Sequence, residues 1–284
     1  MNQDIITLYD EYSRGGMDRR AFLDRLAQVV GGAAAALALL PALEAASGQD
    51  PIVAPDDKRL VTGMADYDAA GTKMSGYLAR QTGGRKRPAV IVISENRGLN
   101  AHIQDVTRRF AIDGFLAFGP DPLSPQGGTP ADQAEAGKMM GSLNAAETVA
   151  RLAAAVKFLA THAESTGKVG VVGFCWGGAM VNRLVAAGTT LNAGVSYYGS
   201  QLPAADVPKI SCPLMLHYAS EDARINAGIP AYEAALKEHK KTYELFMYEG
   251  AGHAFNNNTG ARYHKESAEL AWKRTIEFFN KYLK

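Results

Sequence analysis

The run Lys168-Val169-Gly170-Val171-Val172-Gly173-Phe174-Cys175-Trp176-Gly177-Gly178-Ala179-Met180 constrains this chain more than any other stretch. Val169, Val171 and Val172 are β-branched, and the apolar run stops at Gly173, as a buried strand of a parallel sheet does. Gly173 and Gly177 flank Cys175 two residues away on each side. This is the small-x-nucleophile-x-small pattern of a strand-turn-helix elbow, with cysteine in the usual place of serine. Such a turn strains the nucleophile's backbone, and Cβ atoms on the flanking residues would clash with the neighbouring strand and helix. It lifts the sulfur above the sheet and aims the Trp176 amide at a developing oxyanion. The helix that follows sets its positive end beside the thiol. A buried core thiol is the plain alternative. The strand before, the helix after and the partners downstream favour a nucleophile.

A chain of 284 residues with 47% hydrophobic content can bury one large core. The net charge of +1 and scattered Lys and Arg give no surface for nucleic acid. Arg85-Lys86-Arg87 is the one short basic knot, read as a solvated turn before a strand. Two cysteines, Cys175 and Cys212, are too few for a disulfide framework and too far apart for a metal-ligand pair. Cys212 precedes Pro213 and a strand, which suits core packing. No metal or cofactor site is readable.

Residues 1–48 differ in composition from the rest. Met17-Asp18-Arg19-Arg20-Ala21-Phe22-Leu23 resembles a twin-arginine export signal, followed by an Ala- and Gly-rich stretch and by Ala45-Ala46-Ser47 as a candidate cleavage site. Export to the periplasm is favoured on this reading. The acidic residues Asp4, Asp10 and Glu11, and Asp24 after the motif, fit instead a helical arm retained on a cytoplasmic protein, packed on the body or on a second subunit of a homo-oligomer. The stretch is too rich in Gly and Ala for a membrane span.

Residues 49–284 read as one catalytic domain. Pro51 to Pro55 is a linker, and Leu60–Tyr67 and Lys73–Arg80 form an antiparallel hairpin. Pro88–Ile93, Phe115–Phe118, Val169–Val172, Ala193–Gly199, Pro213–Tyr218 and Thr242–Tyr248 are further strands, separated by helical patterns. That alternation predicts an α/β fold with a mainly parallel twisted sheet of about eight strands and helices on both faces. The Pro-, Gly- and Ser-rich segment Leu123–Thr129 is a candidate lid.

In such sheets the reactive groups sit beyond the carboxyl ends of the strands. Ser220-Glu221-Asp222 follows one strand and Glu249-Gly250-Ala251-Gly252-His253-Ala254-Phe255 follows the last. Nucleophile, acid, base is the chain order this architecture uses. His253 would take the thiol proton, and an acid, Asp222 ahead of Glu221, would hold the imidazole. Among the other histidines, His162, His239 and His264 fall on solvated helix faces or ends and His217 is a core residue. His102 follows a candidate active-site loop and is a pocket candidate.

These motifs, with Ser94-Glu95-Asn96-Arg97-Gly98-Leu99-Asn100, resemble the dienelactone hydrolase family of the α/β-hydrolase fold over roughly Leu60 to the C-terminus. The resemblance implies a triad of Cys175, Asp222 and His253, an oxyanion hole from the amides of Asn96 and Trp176, and a Glu95 that contacts the resting thiol and helps set its protonation. Family members acting on dienelactone hold its carboxylate with arginines, one of them four residues after the histidine, where this chain has Asn257. Ala254 follows the histidine where serine is frequent. Arg97 is an alternative anion anchor or a surface or interface residue, and Asn100 and Tyr198 complete the candidate pocket. The expectation is hydrolysis of a small carboxylic ester or lactone through a thioester acyl-enzyme, without a cofactor. Acyl transfer or thioester chemistry at the same site, and a non-catalytic binding protein on the same fold, are the alternatives.

Overall fold

The computed structural model describes residues 3–13, 17, 19–46 and 50–284. Asp18 of the paired-arginine motif and Ser47 of the candidate cleavage site lie outside the described residues. Three helices, α1 (Gln3–Ser13), α2 (Arg19–Val30) and α3 (Ala33–Ala46), precede the sheet. They share a small apolar cluster of their own, in which Phe22 and Leu26 are fully buried and Phe22 stacks on Tyr12. Among the described residues no single helix is long and apolar enough to cross a membrane. Arg20–Val30 and Ala33–Leu40 reach that length only as a pair, bent by 110°.

Val53 then fastens the linker to the body. Its N–H donates to Asp105 at 2.8 Å and its carbonyl accepts from the Arg108 guanidinium at 2.8 Å. The hairpin follows as β1 (Leu60–Ala69) and β2 (Thr72–Gln81), paired antiparallel. After it come β3 (Arg87–Ile93), α4 (Ala101–Ile112), β4 (Leu116–Pro120), α5 (Gln133–Gly141), α6 (Ala145–Ala160) and β5 (Ser165–Phe174). The chain closes through α7 (Trp176–Leu184), β6 (Ala193–Tyr197), β7 (Leu214–Glu221), α8 (Ala223–Asn226), α9 (Ile229–Glu238), β8 (Tyr243–Gly252) and α10 (Lys265–Leu283).

The eight strands form one sheet in the order β1-β2-β4-β3-β5-β6-β7-β8. Every pairing from β4 to β8 is parallel, and β2 joins β4 antiparallel. This is the α/β-hydrolase architecture. The two-residue period of the strands sorts their side chains into two cores. Ala89, Ile91, Ile93, Val169 and Val171 meet α6, α7 and α9 on one face. Val90, Val92, Val172 and Phe174 meet α4 and α10 on the other. Runs such as Ala89–Ile93 are therefore apolar without alternation, because both faces are covered.

Two readings of the sequence need correcting. Arg87 is not in a solvated turn. It opens β3 with its guanidinium buried, donating to the carbonyls of Arg85 at 2.8 Å and Thr82 at 3.1 Å. The Leu123–Thr129 loop is not a free lid either. Asp121 accepts from the N–H of Leu123 at one end and from the N–H and hydroxyl of Thr129 at the other. The Thr129 hydroxyl oxygen also accepts from Leu99 N–H, which ties the loop to the Glu95 segment. Cys212 is buried as expected, and burial pushes its thiol up to about 12.

Candidate active site

The elbow is built by contacts that leave no room for side chains. A Cβ on Gly173 would stand 2.2 Å from the Gly177 carbonyl oxygen, and one on Gly177 would stand 2.5 Å from the carbonyl oxygens of Ile93 and Ser94. These are backbone atoms that cannot swing aside, so the spacing of the two glycines follows from the packing of β5, β3 and α7. Between them Cys175 takes φ +54°, ψ −110°, a conformation that L-residues adopt only under constraint. Its N–H donates to the Tyr197 carbonyl at 3.0 Å, and it stands immediately before α7, half-exposed.

Two strands away, β7 ends at Glu221, and Asp222 caps α8 by accepting from Ile225 N–H at 3.4 Å. The cap leaves Oδ2 directed at His253, whose Nδ1 lies 2.5 Å away. His253 Nε2 in turn lies 2.9 Å from the Cys175 sulfur. Asp222 and His253 are buried, so the bond between them is shielded from water, while the one to the half-exposed Cys175 is partly so. Burial disfavours the charged imidazole, but the hydrogen bonds to Asp222 and to the Cys175 sulfur outweigh it and raise His253 to about 9. Burial likewise opposes ionisation of Asp222, and its bond to His253 overcomes this and holds the carboxyl below its ordinary value. Glu221 is exposed and is not the residue on the imidazole.

Glu95, half-exposed beyond β3, accepts the Tyr198 hydroxyl on Oε1 at 3.2 Å and the Asn257 amide on Oε2 at 2.8 Å. Tyr198 is almost fully buried at φ +38°, with its ring 5.1 Å from that of His253. Burial first, and then the charges of Glu95 and Cys175, push its hydroxyl well above the tyrosine range, so it stays a donor. Ala254, half-exposed, continues from His253 with φ +68°. Asn96, in the loop after β3, and Trp176, the first residue of α7, are half-exposed.

The other candidates lie on α4 or just before it, or in the sheet. Asn100 is the N-cap of α4, accepting from Ile103 N–H at 3.0 Å. His102 is buried in the first turn of α4, and burial together with the Arg109 charge lowers it to about 3. Arg97 is buried and not a surface residue. His217 is the core residue expected, between the Tyr248 hydroxyl at 2.9 Å and the Thr275 hydroxyl at 3.1 Å. Sequence reasoning missed Thr259, which orients Asn257 and whose only signal is the Asn-x-Thr spacing. It also missed Thr7 of α1, which lines a cleft of about 380 Å³ with Asp222, His253 and Tyr263. No pattern in the sequence signals that approach.

Comparison with known proteins agrees with this architecture. Residues 74–283 match the Dienelactone hydrolase family. The chain is 31% identical over 248 residues to the "Putative carboxymethylenebutenolidase" of Escherichia coli strain K12, covering 81% of this chain and 91% of that one. A protein of the same name from Synechocystis is 34% identical over 231 residues, covering 75% and 93%. Among solved structures, the "Putative Dienelactone Hydrolase" of Klebsiella pneumoniae superposes with a TM-score of 0.71 at 28% identity, covering 78% of this chain and 99% of that chain. A cysteine elbow with a buried histidine and aspartate, set on this sheet and matched over most of its length, makes the chain a member of the dienelactone hydrolase family, a carboxymethylenebutenolidase-like hydrolase of esters or lactones.

Proposed function

We propose that the chain hydrolyses small carboxylic esters or lactones with Cys175 as nucleophile, His253 as acid and base, and Asp222 as the partner of the imidazole. The observation that carries this reading is the Asp222–His253–Cys175 chain of contacts at the elbow. A protonated His253 directs Nε2–H at the sulfur and already holds the proton that a departing alkoxide needs. The sulfur attacks the carbonyl carbon, and the oxyanion rests on the amides of Asn96 and Trp176. As the C–O bond breaks, the imidazolium passes its proton to the alcohol oxygen and a thioester remains. Neutral His253 then takes a proton from water, the hydroxide adds to the thioester carbon, and the acid leaves as the sulfur is released. Glu95, which accepts from Tyr198 and Asn257, is the residue that the family resemblance sets against the resting sulfur.

The neutral Asn257 stands where dienelactone-acting relatives carry an arginine, so acyl groups without a carboxylate suit this site. Turnover of a short series of p-nitrophenyl esters tests the reading. Wild-type activity should disappear in Cys175→Ala and fall by roughly a thousandfold or more in His253→Ala. Equal rates in wild type and Cys175→Ala would refute it.

A further inference from the structure

Three loops at the carboxyl edge of the sheet meet at the Glu95 carboxylate. Tyr198, after β6, donates to Oε1, and Asn257, after β8, donates to Oε2. The Asn257 amide has one orientation only. Its Oδ1 accepts the Thr259 N–H at 3.0 Å and the Thr259 hydroxyl at 2.7 Å, so its N–H faces Glu95. The Asn257 backbone N–H donates to the Ala254 carbonyl at 3.0 Å, closing the turn that leaves His253. β5, β6 and β7 separate β3 from β8, so no ladder of backbone bonds joins their loops.

We propose that Asn257 is a positioning residue: through Glu95 it ties the turn carrying His253 to the loop carrying Asn96, and so keeps the base in register with the oxyanion donor. This rests on the reading of Cys175 as a hydrolytic nucleophile. A donor on a carboxylate is stronger than a neutral hydrogen bond, and it spans a gap that the strands leave open. Loss of the tie acts on the geometry of the reacting state, where displacements of about 1 Å cost on the order of a hundredfold. It should therefore lower kcat and leave KM little changed.

An aspartate at this position separates positioning from simple loop packing. Asn257→Asp keeps the shape but sets a second carboxylate against Glu95, and two carboxylates at hydrogen-bond distance do not both ionise. The pair holds together while it shares a proton and repels once that proton is lost. The kcat of Asn257→Asp relative to wild type should thus fall roughly tenfold as pH rises across the range in which the shared proton leaves. Asn257→Ala should show a loss independent of pH. Adding Asp to a Glu95→Ala background should introduce no such dependence. Thr259→Val, at a half-exposed position, loosens the amide and provides a second measurement if the Asn257 variants fold poorly. Its kcat should drop about threefold with an unchanged melting temperature.

The experiment is steady-state hydrolysis of one p-nitrophenyl ester by these variants and by Cys175→Ala, from about pH 5 to pH 9. Activity that survives Cys175→Ala defeats the nucleophile reading itself. Activity that vanishes there, with Asn257→Asp at a constant fraction of wild-type kcat, overturns the positioning role alone. So does a pH dependence that persists without Glu95, or a Thr259→Val enzyme with unaltered kcat.

Discussion

His253 Nε2 lies 2.9 Å from the Cys175 sulfur, although the two residues are 78 positions apart in the chain. The contact makes the protonation of the imidazole depend on the sulfur as well as on Asp222.

The first consequence is an alkaline limit. His253 is raised to about 9, so its proton is present through neutral pH and leaves near that value. For esters with alkyl alcohols, which need a proton to depart, kcat/KM should fall above pH 9. For p-nitrophenyl esters, whose phenolate leaves unprotonated, the fall should be much weaker. Matched pH profiles of an alkyl and a p-nitrophenyl ester check this, and superimposable profiles would contradict it.

Stability should depend on His253 and Asp222, with opposite signs at the two ends of the pH range. A group raised on folding stabilises while the unfolded chain also holds the proton. The His253 contribution is therefore complete below its ordinary value of 6.5 and is lost as pH rises from there through about 9. Asp222 is lowered, so its contribution is complete above its ordinary value of 3.8 and is lost as the solution becomes more acidic. Both act fully only between those two values. The melting-temperature difference between wild type and His253→Gln should be largest there and shrink toward pH 9. A difference that grows with alkalinity would refute the assignment.

The elbow glycines predict a third outcome. In Gly177→Ala the new Cβ meets two backbone carbonyl oxygens at 2.5 Å, so β3 or α7 must shift. The cost should be about 1–3 kcal/mol, with a loss of activity far beyond what the stability change explains. Urea unfolding together with the rate of Cys175 alkylation by iodoacetamide measures both. Unchanged alkylation would show that the turn tolerates a side chain.

These glycines also mark how far the sequence could be read. Local rules carry the elbow, because strand, strained turn and helix start are neighbours in the chain. The unbroken valines and the alternation with helices carry the doubly covered sheet for the same reason. His253 was legible from its place after a strand, and Asp222, beside Glu221 in such a place, only with the family resemblance. The bonds from Asn257 and Tyr198 to Glu95 were not, because they join residues 162 and 103 positions apart through side chains alone. Nor was the burial of Arg87, whose partners are loop carbonyls with no sequence pattern. Residues 1–48 read as either an export signal or a helical arm, because apolar residues at helical spacing serve both, and among the described residues these helices pack on one another.

That packing yields the last prediction. Phe22 is fully buried, stacked 4.4 Å from the Tyr12 ring and edge-on to Tyr9 at 5.8 Å. Every member of its cluster belongs to α1, α2, α3 or the short segment joining α1 to α2. Phe22→Ala removes about 3–5 kcal/mol from a cluster too small to tolerate such a loss. The three helices should lose amide-exchange protection while the sheet keeps its own, because Val90, Val172 and their neighbours pack in separate cores. If the whole chain instead melts in one lowered transition, the N-terminal helices are part of the folding unit of the sheet. Hydrogen exchange read segment by segment separates the two cases, since only in the first does the protection of Leu26 collapse while that of Val172 stands.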